Sequence, residues 1–187
     1  ALRDGRPFAV TAIAATNQSG AWRDQKRDGG VVIEVATGEI LSRGLSMPHS
    51  PRWHEGRLWL HQSGTGEFGW IDLAKGRFEP VAFLPGFLRG LSFLGPYAVI
   101  GLSRPREESG FDGLPIQERL AKEGRRADCA LCLIDLRTGK LVHRVAIGPD
   151  VDEIYDTAFL PGWRNPKLVR PSGDDIMYLV RPLDARP

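Results

Sequence analysis

The sequence lacks the features that mark membrane, secreted and nucleic-acid-binding proteins. No apolar run approaches the roughly 20 residues that a bilayer-spanning helix needs, and no basic stretch precedes an apolar one, as in a signal peptide. Two cysteines in 187 residues are too few for a disulfide framework, which indicates a reducing, cytoplasmic compartment. Lys and Arg (25) nearly balance Asp and Glu (23), so the net charge is only +2. This balance predicts neither nucleic acid nor a membrane surface as a partner.

Complete catalytic signatures are also missing from the sequence. It contains no Walker, Rossmann or GxSxG pattern. Cys129 and Cys132 have CxxC spacing, but they open a predicted strand, on which residues i and i+3 point to opposite faces. We interpret them as buried packing residues and not as a zinc or redox pair. His54 and His61 are interpreted as surface or strand residues, and His143 as a structural residue of an outer strand.

Turn residues and short apolar runs are abundant and predict an all-β protein. Glycine (22) and proline (14) make up nearly a fifth of the chain. The clearest stretch, residues 44–72, alternates strands with turns at Glu55-Gly56 and at Gly64-Thr65-Gly66, which is typical of a β-meander. Residues 16–30 are polar and are predicted to form a long exposed loop.

A repeat of about 40 residues indicates β-propeller blades. The sequences VIEVATGEI, GWIDLAKGRF and LIDLRTGKL each end a predicted four-stranded unit, with turn glycines Gly38, Gly76 and Gly139. Gly38 and Gly76 are 38 residues apart, and Gly76 and Gly139 are 63 apart, or about 40 without an insertion at 104–128. We predict a single β-propeller-like domain over 1–187 with three to four four-stranded blades; the alternative is an irregular β-sandwich.

Two further segments complete the predicted architecture. Within the insertion at 104–128, Asp112 and Pro115 are predicted to cap and begin one short helix that Gly124 ends. A fourth unit is predicted to begin with a strand at 154–160, followed by another strand at 175–180.

The blade repeat predicts which polar residues share one end of the domain. Three predicted first strands end at aromatic residues: Trp53, Phe93 and Phe159. Four residues earlier stand His49, Arg89 and Tyr155, which we expect in a polar ring at the channel mouth. The loops that leave the second strands open on the same face. The predicted ligand-binding set is His49, Ser50, Arg52, Ser63, Arg89, Ser103, Arg104, Glu153, Tyr155 and Asp156.

The candidates for catalysis within this set are His49, Arg89 and Glu153. Carboxylates of Glu153 and Asp156 together with His49 are suited to hold a divalent metal, or one of them to act as a general base. The structural alternatives are that His49 bonds a backbone carbonyl and that Arg89 pairs with Glu153 or Asp156. The residues alone leave these alternatives open.

Several motifs resemble a family of uncharacterised bacterial proteins, a conserved domain of unknown function sometimes joined to tetratricopeptide repeats. They are GLSMPHSPRW, SGTGEFGWID, LPGFLRGL, GLSRPRE, FDGLPI and DEIYDTAFLPG. The resemblance implies a propeller-like fold without an established activity, and it matches Cys129 but not Cys132. Family members look longer at the N-terminus, so we expect this chain, which starts at Ala1, to be the C-terminal part of a propeller and to lack N-terminal blades.

Two functions fit these observations. The first is binding of, or action on, a small molecule or peptide at the channel mouth. The second is a non-catalytic module that presents the face bearing the insertions to a protein or peptide. Lactonase-type propellers are an analogy for the first at the level of fold only.

Overall fold

The structure, a computed structural model, describes residues 1–104 and 112–164. Within these ranges the chain is mostly β-structure. Its strands are β1 (Leu2–Arg3), β2 (Arg6–Pro7), β3 (Ala9–Ala12), β4 (Gly30–Glu34), β5 (Ile40–Leu45), β6 (Pro48–His54), β7 (Arg57–Gln62), β8 (Glu67–Asp72), β9 (Arg77–Phe83), β10 (Phe87–Leu94), β11 (Tyr97–Ser103), β12 (Ala130–Asp135) and β13 (Lys140–Ala146). A single α-helix, α1 (Pro115–Lys122), accompanies them in the described part.

Antiparallel pairing follows chain order throughout. Apart from the β1–β2 hairpin, the strands form a β3–β5 sheet, a β6–β9 sheet and a β10–β13 sheet. The predicted meander corresponds to β6, β7 and β8, and its first turn has positive φ at both Glu55 (48°) and Gly56 (76°). Such a two-residue turn matches the right-handed twist of the strands that it joins. The all-β prediction is therefore confirmed, with two four-stranded sheets and one of three strands.

The turn glycines of the predicted repeat occupy equivalent places. Gly38, Gly76 and Gly139 have φ values of 74°, 63° and 69°, a conformation that favours glycine. A Cβ built on Gly76 would lie 3.1 Å from the carbonyl oxygen of Leu41 in β5, and one on Gly139 would lie 2.7 Å from that of Val81 in β9. The turns at Gly76 and Gly139 thus pack against the outer strand of the preceding sheet.

Strand β7 shows how the sheets pack on both sides. Leu58 and Leu60 belong to an apolar cluster with the β3–β5 sheet, and Trp59 belongs to one with the β10–β13 sheet. Side chains thus alternate between the two faces of β7, and both faces are buried. The first cluster consists of Phe8, Ala9, Val32, Leu45, Leu58, Leu60 and Ile71. The second consists of Trp59, Phe68, Leu84, Leu88, Leu91, Ala98, Ile100, Leu102, Ala130, Cys132 and Ile134.

Helix α1 packs over the end of the sheets from which the insertions leave. Its buried side chains Ile116 and Leu120 join a cluster with Met47 and Phe87. The helix is confirmed, but Asp112 is not its N-cap. The N-cap is Leu114, whose N–H donates to Gln117 Oε1 at 3.3 Å.

The predicted strand at 154–160 is wrong, because residues 151–160 form no regular secondary structure. Hydrogen bonds that involve the side chains of Ser103 and Thr157 replace the backbone hydrogen bonds of a strand there. The predicted strand at 175–180 and residues 105–111 of the insertion lie outside the described residues. The predicted loop at 16–30 contains one short 3-10 turn, Ala21–Arg23. No helix in the described ranges is long and apolar enough to span a bilayer.

Candidate functional site

The first strands of the two four-stranded sheets, β6 and β10, carry the same irregularity at equivalent positions. A β-bulge interrupts β6 between His49 and Arg52, and another interrupts β10 between Arg89 and Leu91. One residue within each bulge has a positive φ: 52° at Ser50 in β6 and 72° at Gly90 in β10. A bulge adds one residue to one strand of a pair and re-aims the side chains beside it.

The two bulges are in direct contact across the sheets. The N–H of Gly90 donates to Ser50 Oγ at 3.0 Å, and its carbonyl lies 3.0 Å from His61 Nε2. Since a carbonyl only accepts, Nε2 of His61 carries the proton. Ser63 Oγ donates to the carbonyl of Leu88 at 2.7 Å. Ser50 and Ser63, both predicted to bind ligand, therefore fasten the β6–β9 sheet to the β10–β13 sheet.

His49 lies directly opposite His61 in the β6–β7 pair. Its Nε2 is shielded from solvent and has no hydrogen-bond partner in the described part of the chain. Burial lowers the pKa of His49 to about 3, assisted by the positive charge of Arg89 and by His61. Burial likewise lowers the pKa of His61, which is fully enclosed, to about 4. Both imidazoles are therefore neutral at physiological pH.

Arg89 is the half-buried cation beside this pair of histidines. Its guanidinium carbon lies 5.7 Å from the centre of the Tyr155 ring, within cation–π range. Tyr155 itself is 75% exposed. Among residues 1–104 and 112–164, no carboxylate forms an ion pair with Arg89. Arg89 and Tyr155, which occupy equivalent positions in the repeat, are thus in contact.

The segment 152–157 crosses β10 and β11 without joining their ladder. The N–H of Ile154 donates to Ser103 Oγ at 2.9 Å, and Ser103 Oγ lies 3.2 Å from the carbonyl of Ile154. Thr157 Oγ1 donates to the carbonyl of Val99 at 3.2 Å. A Cβ on Gly90 would lie 2.5 Å from the Thr157 nitrogen, so the segment fits only because Gly90 has no side chain.

Ion pairs anchor both ends of this segment. Arg52 Nη2 reaches the two carboxylate oxygens of Asp156 at 3.1 and 3.0 Å. Arg104 Nη1 lies 2.6 Å from Asp152 Oδ1, and its backbone N–H donates to the Asp152 carbonyl at 2.8 Å. Arg52, Ser103, Arg104 and Asp156, all predicted ligand contacts, thus hold the segment in place. Asp156 pairs with Arg52 and not with Arg89.

The described residues give the predicted metal site no support. They contain no group of three His, Cys, Asp or Glu side chains that could hold a metal ion. The carboxylate of Asp156 is engaged by Arg52, and Glu153 is half-buried with a partner of its own.

The loop at 16–30 and the described part of the insertion, residues 112–128, cover the same end of the sheets. Arg27 of the loop donates to the carbonyl of Gly113 and pairs with Glu118 at 2.9 Å. The N–H of Ile116 donates to the carbonyl of Gly64 at 2.9 Å. A cavity of about 500 Å³ at this loop is lined by uncharged residues that include Trp22. The charged candidates therefore belong to the strand ends and not to this cavity.

His61, predicted as a surface or strand residue, lies on strand β7, but it is fully buried and bonded to the next sheet. The period-2 pattern of β7 places it on the face of Trp59, which would have indicated burial. The burial predicted for Cys129 and Cys132 is confirmed, and burial raises the pKa of the Cys132 thiol to about 11.

One protein family and two solved structures are similar to this chain. A family model described as a domain of unknown function (DUF4915) matches residues 1–169. No curated protein matches the chain. Two computationally designed proteins of known structure are similar at 16% identity over 70% of this chain: Ika8 (TM-score 0.40, 34% of its chain covered) and Ika4 (TM-score 0.42, 68% covered). The chain thus spans about a third of the length of Ika8.

Proposed function

The chain belongs to this family of domains of unknown function, DUF4915, and we propose that it is part of a β-propeller-like protein that binds a small molecule or peptide where His49, Arg89 and Tyr155 meet. The observation that carries the proposal is an unpartnered buried Nε2 on His49 next to a cation, Arg89, without an ion pair in the described ranges. Buried polar groups are nearly always satisfied, and exceptions often have a functional cause.

Three repeating features support the propeller-like arrangement. Sheets follow one another in chain order, each as an antiparallel meander. The turns at Gly76 and Gly139 each pack on the outer strand of the preceding sheet. The bulges at Ser50 and Gly90 occupy equivalent positions and touch. Radially stacked blades produce such recurrence, since every blade meets its neighbour through the same contacts.

Binding is better supported than catalysis. A neutral imidazole whose pKa is about 3 is a weak base at physiological pH. The nearby carboxylates of Asp152 and Asp156 are held by Arg104 and Arg52. Arg89, in contrast, offers N–H donors that no described carboxylate occupies. Because Nε2 of His49 is shielded, a ligand gains access to it when the side chains that cover it change rotamer.

The test is a ligand screen read from histidine NMR signals. The chain has only four histidines, so each imidazole can be assigned and followed in the presence of small molecules and short peptides. We expect at least one compound to shift His49 while the exposed His143 stays unchanged. In Arg89→Gln, which keeps a polar side chain at this site, the same compound should bind roughly tenfold or more weakly.

The variant Arg57→Gln is the matched control, because Arg57 also lacks an ion pair in the described ranges but stacks over Trp70 on another part of the sheet. It should leave binding unchanged. A screen in which no compound shifts His49, or in which Arg57→Gln weakens binding as much as Arg89→Gln, contradicts the proposal.

A further inference from the structure

The charge that acts on the imidazole of His49 is positive. The charged side chain that acts on its imidazole is Arg89, which lowers its pKa together with burial and the neighbouring His61. No carboxylate from the described ranges appears among these causes. Asp156, the acidic residue nearest in the repeat, is neutralised by its two hydrogen bonds with Arg52. A half-buried guanidinium therefore faces the site without a local counter-charge.

We propose that the ligand of this site carries an anionic oxygen group, a carboxylate or a phosphate, which Arg89 and His49 bind together. The inference rests on the proposed function and names the chemical class of its ligand. The two bulges bring β6 and β10 side by side, because the N–H of Gly90 donates to Ser50 Oγ.

The chemistry of the two side chains is complementary to such a group. A guanidinium presents its N–H donors in a planar fork that matches two oxygens of a carboxylate or phosphate. A neutral imidazole can donate one further hydrogen bond from Nε2, the atom of His49 that has no partner in the described ranges. The Tyr155 ring keeps the Arg89 side chain in place through their cation–π contact. An uncharged ligand would leave the charge of Arg89 without compensation.

Paired probes that differ only in charge provide the test. A tetrapeptide with a free C-terminal carboxylate is compared with the same peptide carrying a C-terminal amide, both N-acetylated, and inorganic phosphate is titrated separately. Binding is followed through the His49 imidazole in the full chain. We expect the carboxylate peptide or phosphate to bind roughly 10- to 100-fold more tightly than the amide peptide, because a charge-assisted hydrogen bond adds about 1.5–3 kcal/mol.

A second readout separates an anion at the site from a merely structural role of Arg89. A bound anion favours the imidazolium form, so the titration midpoint of His49 should rise in the presence of the saturating anionic probe. In Arg89→Gln the preference for the anionic probe should disappear, and Arg57→Gln should retain it.

The outcomes distinguish the two proposals. Binding of phosphate but not of the carboxylate peptide, or the reverse, supports the inference and identifies the source of the anion. Equal binding of the amide and carboxylate peptides at His49, with no upward shift of its titration, overturns the anionic class and leaves the proposed binding site standing. If neither these probes nor any compound of the ligand screen shifts the NMR signals of His49, the proposed function itself fails.

Discussion

Two neutral histidines, His49 and His61, lie beside the contact between the β6–β9 and β10–β13 sheets. His61 is fully buried and donates through Nε2 to the carbonyl of Gly90, 3.0 Å away. His49 lies opposite it, and burial keeps both pKa values far below that of a free imidazole. Protonation of either histidine therefore opposes its burial and should weaken the packing of the sheets.

Stability should therefore fall in mild acid. Below pH 6.5 the unfolded chain binds protons on both histidines, whereas the folded chain resists protonation until about pH 4 for His61 and about pH 3 for His49. The free energy of unfolding, measured with urea, should drop by on the order of 2–3 kcal/mol per histidine between pH 6.5 and pH 4. Above about pH 7.5, where the histidines of the unfolded chain are also neutral, neither should contribute to its pH dependence.

A conservative substitution isolates this effect. His61→Gln keeps an amide donor for the Gly90 carbonyl but cannot titrate, so the loss of stability in acid should become smaller. His143→Gln changes an exposed histidine on β13 and should leave it as in the wild type. The same acid dependence in both variants would show that His61 is not its source.

At the scale of single elements, the sequence predicts strands and turns but not every bulge or irregular segment. The turn glycines and the alternation of apolar residues were sufficient to predict β6 to β9, because each signal is local. The bulge at Ser50 was not predictable, since β6 has no glycine at that position to indicate a positive φ, whereas Gly90 inside β10 is a signal for a bulge. Residues 154–160 resemble a strand in sequence, but the Ser103 side chain satisfies the backbone of Ile154.

Gly90 is the residue on which the segment 152–157 depends. Gly90→Ala would place a methyl group 2.5 Å from the Thr157 nitrogen and would force a side chain into φ 72°. We expect a loss of roughly 2–5 kcal/mol in the free energy of unfolding. Amide hydrogen exchange of residues 152–157 should accelerate as the segment detaches.

Gly95→Ala is the matched control, because Gly95 also has a positive φ (54°) but no atom within 4 Å of a built Cβ. It should cost only about 1–2 kcal/mol and leave exchange in 152–157 unchanged. Equal losses in both variants would mean that the segment does not press against Gly90.

At the scale of the whole molecule, the repeat brings together residues about 40 positions apart. Aligning the units by their aromatic residues was sufficient to group His49, Arg89 and Tyr155, because equivalent positions in successive sheets are neighbours. The alignment could not show that Arg52 and Arg104 are engaged by Asp156 and Asp152, since pairing depends on the path of a segment without regular structure. Hence the repeat predicted which of these residues are neighbours, but not which of them pair with each other.

The most direct measurement is a high-resolution crystal structure of the chain soaked in phosphate or in the carboxylate peptide. The account predicts electron density for an anionic oxygen group within about 3 Å of both the Arg89 guanidinium and His49 Nε2, with the Arg52–Asp156 ion pair intact. Density for the anion only at other arginines, such as Arg57, or His49 and Arg89 remaining unoccupied at saturating probe, would contradict it.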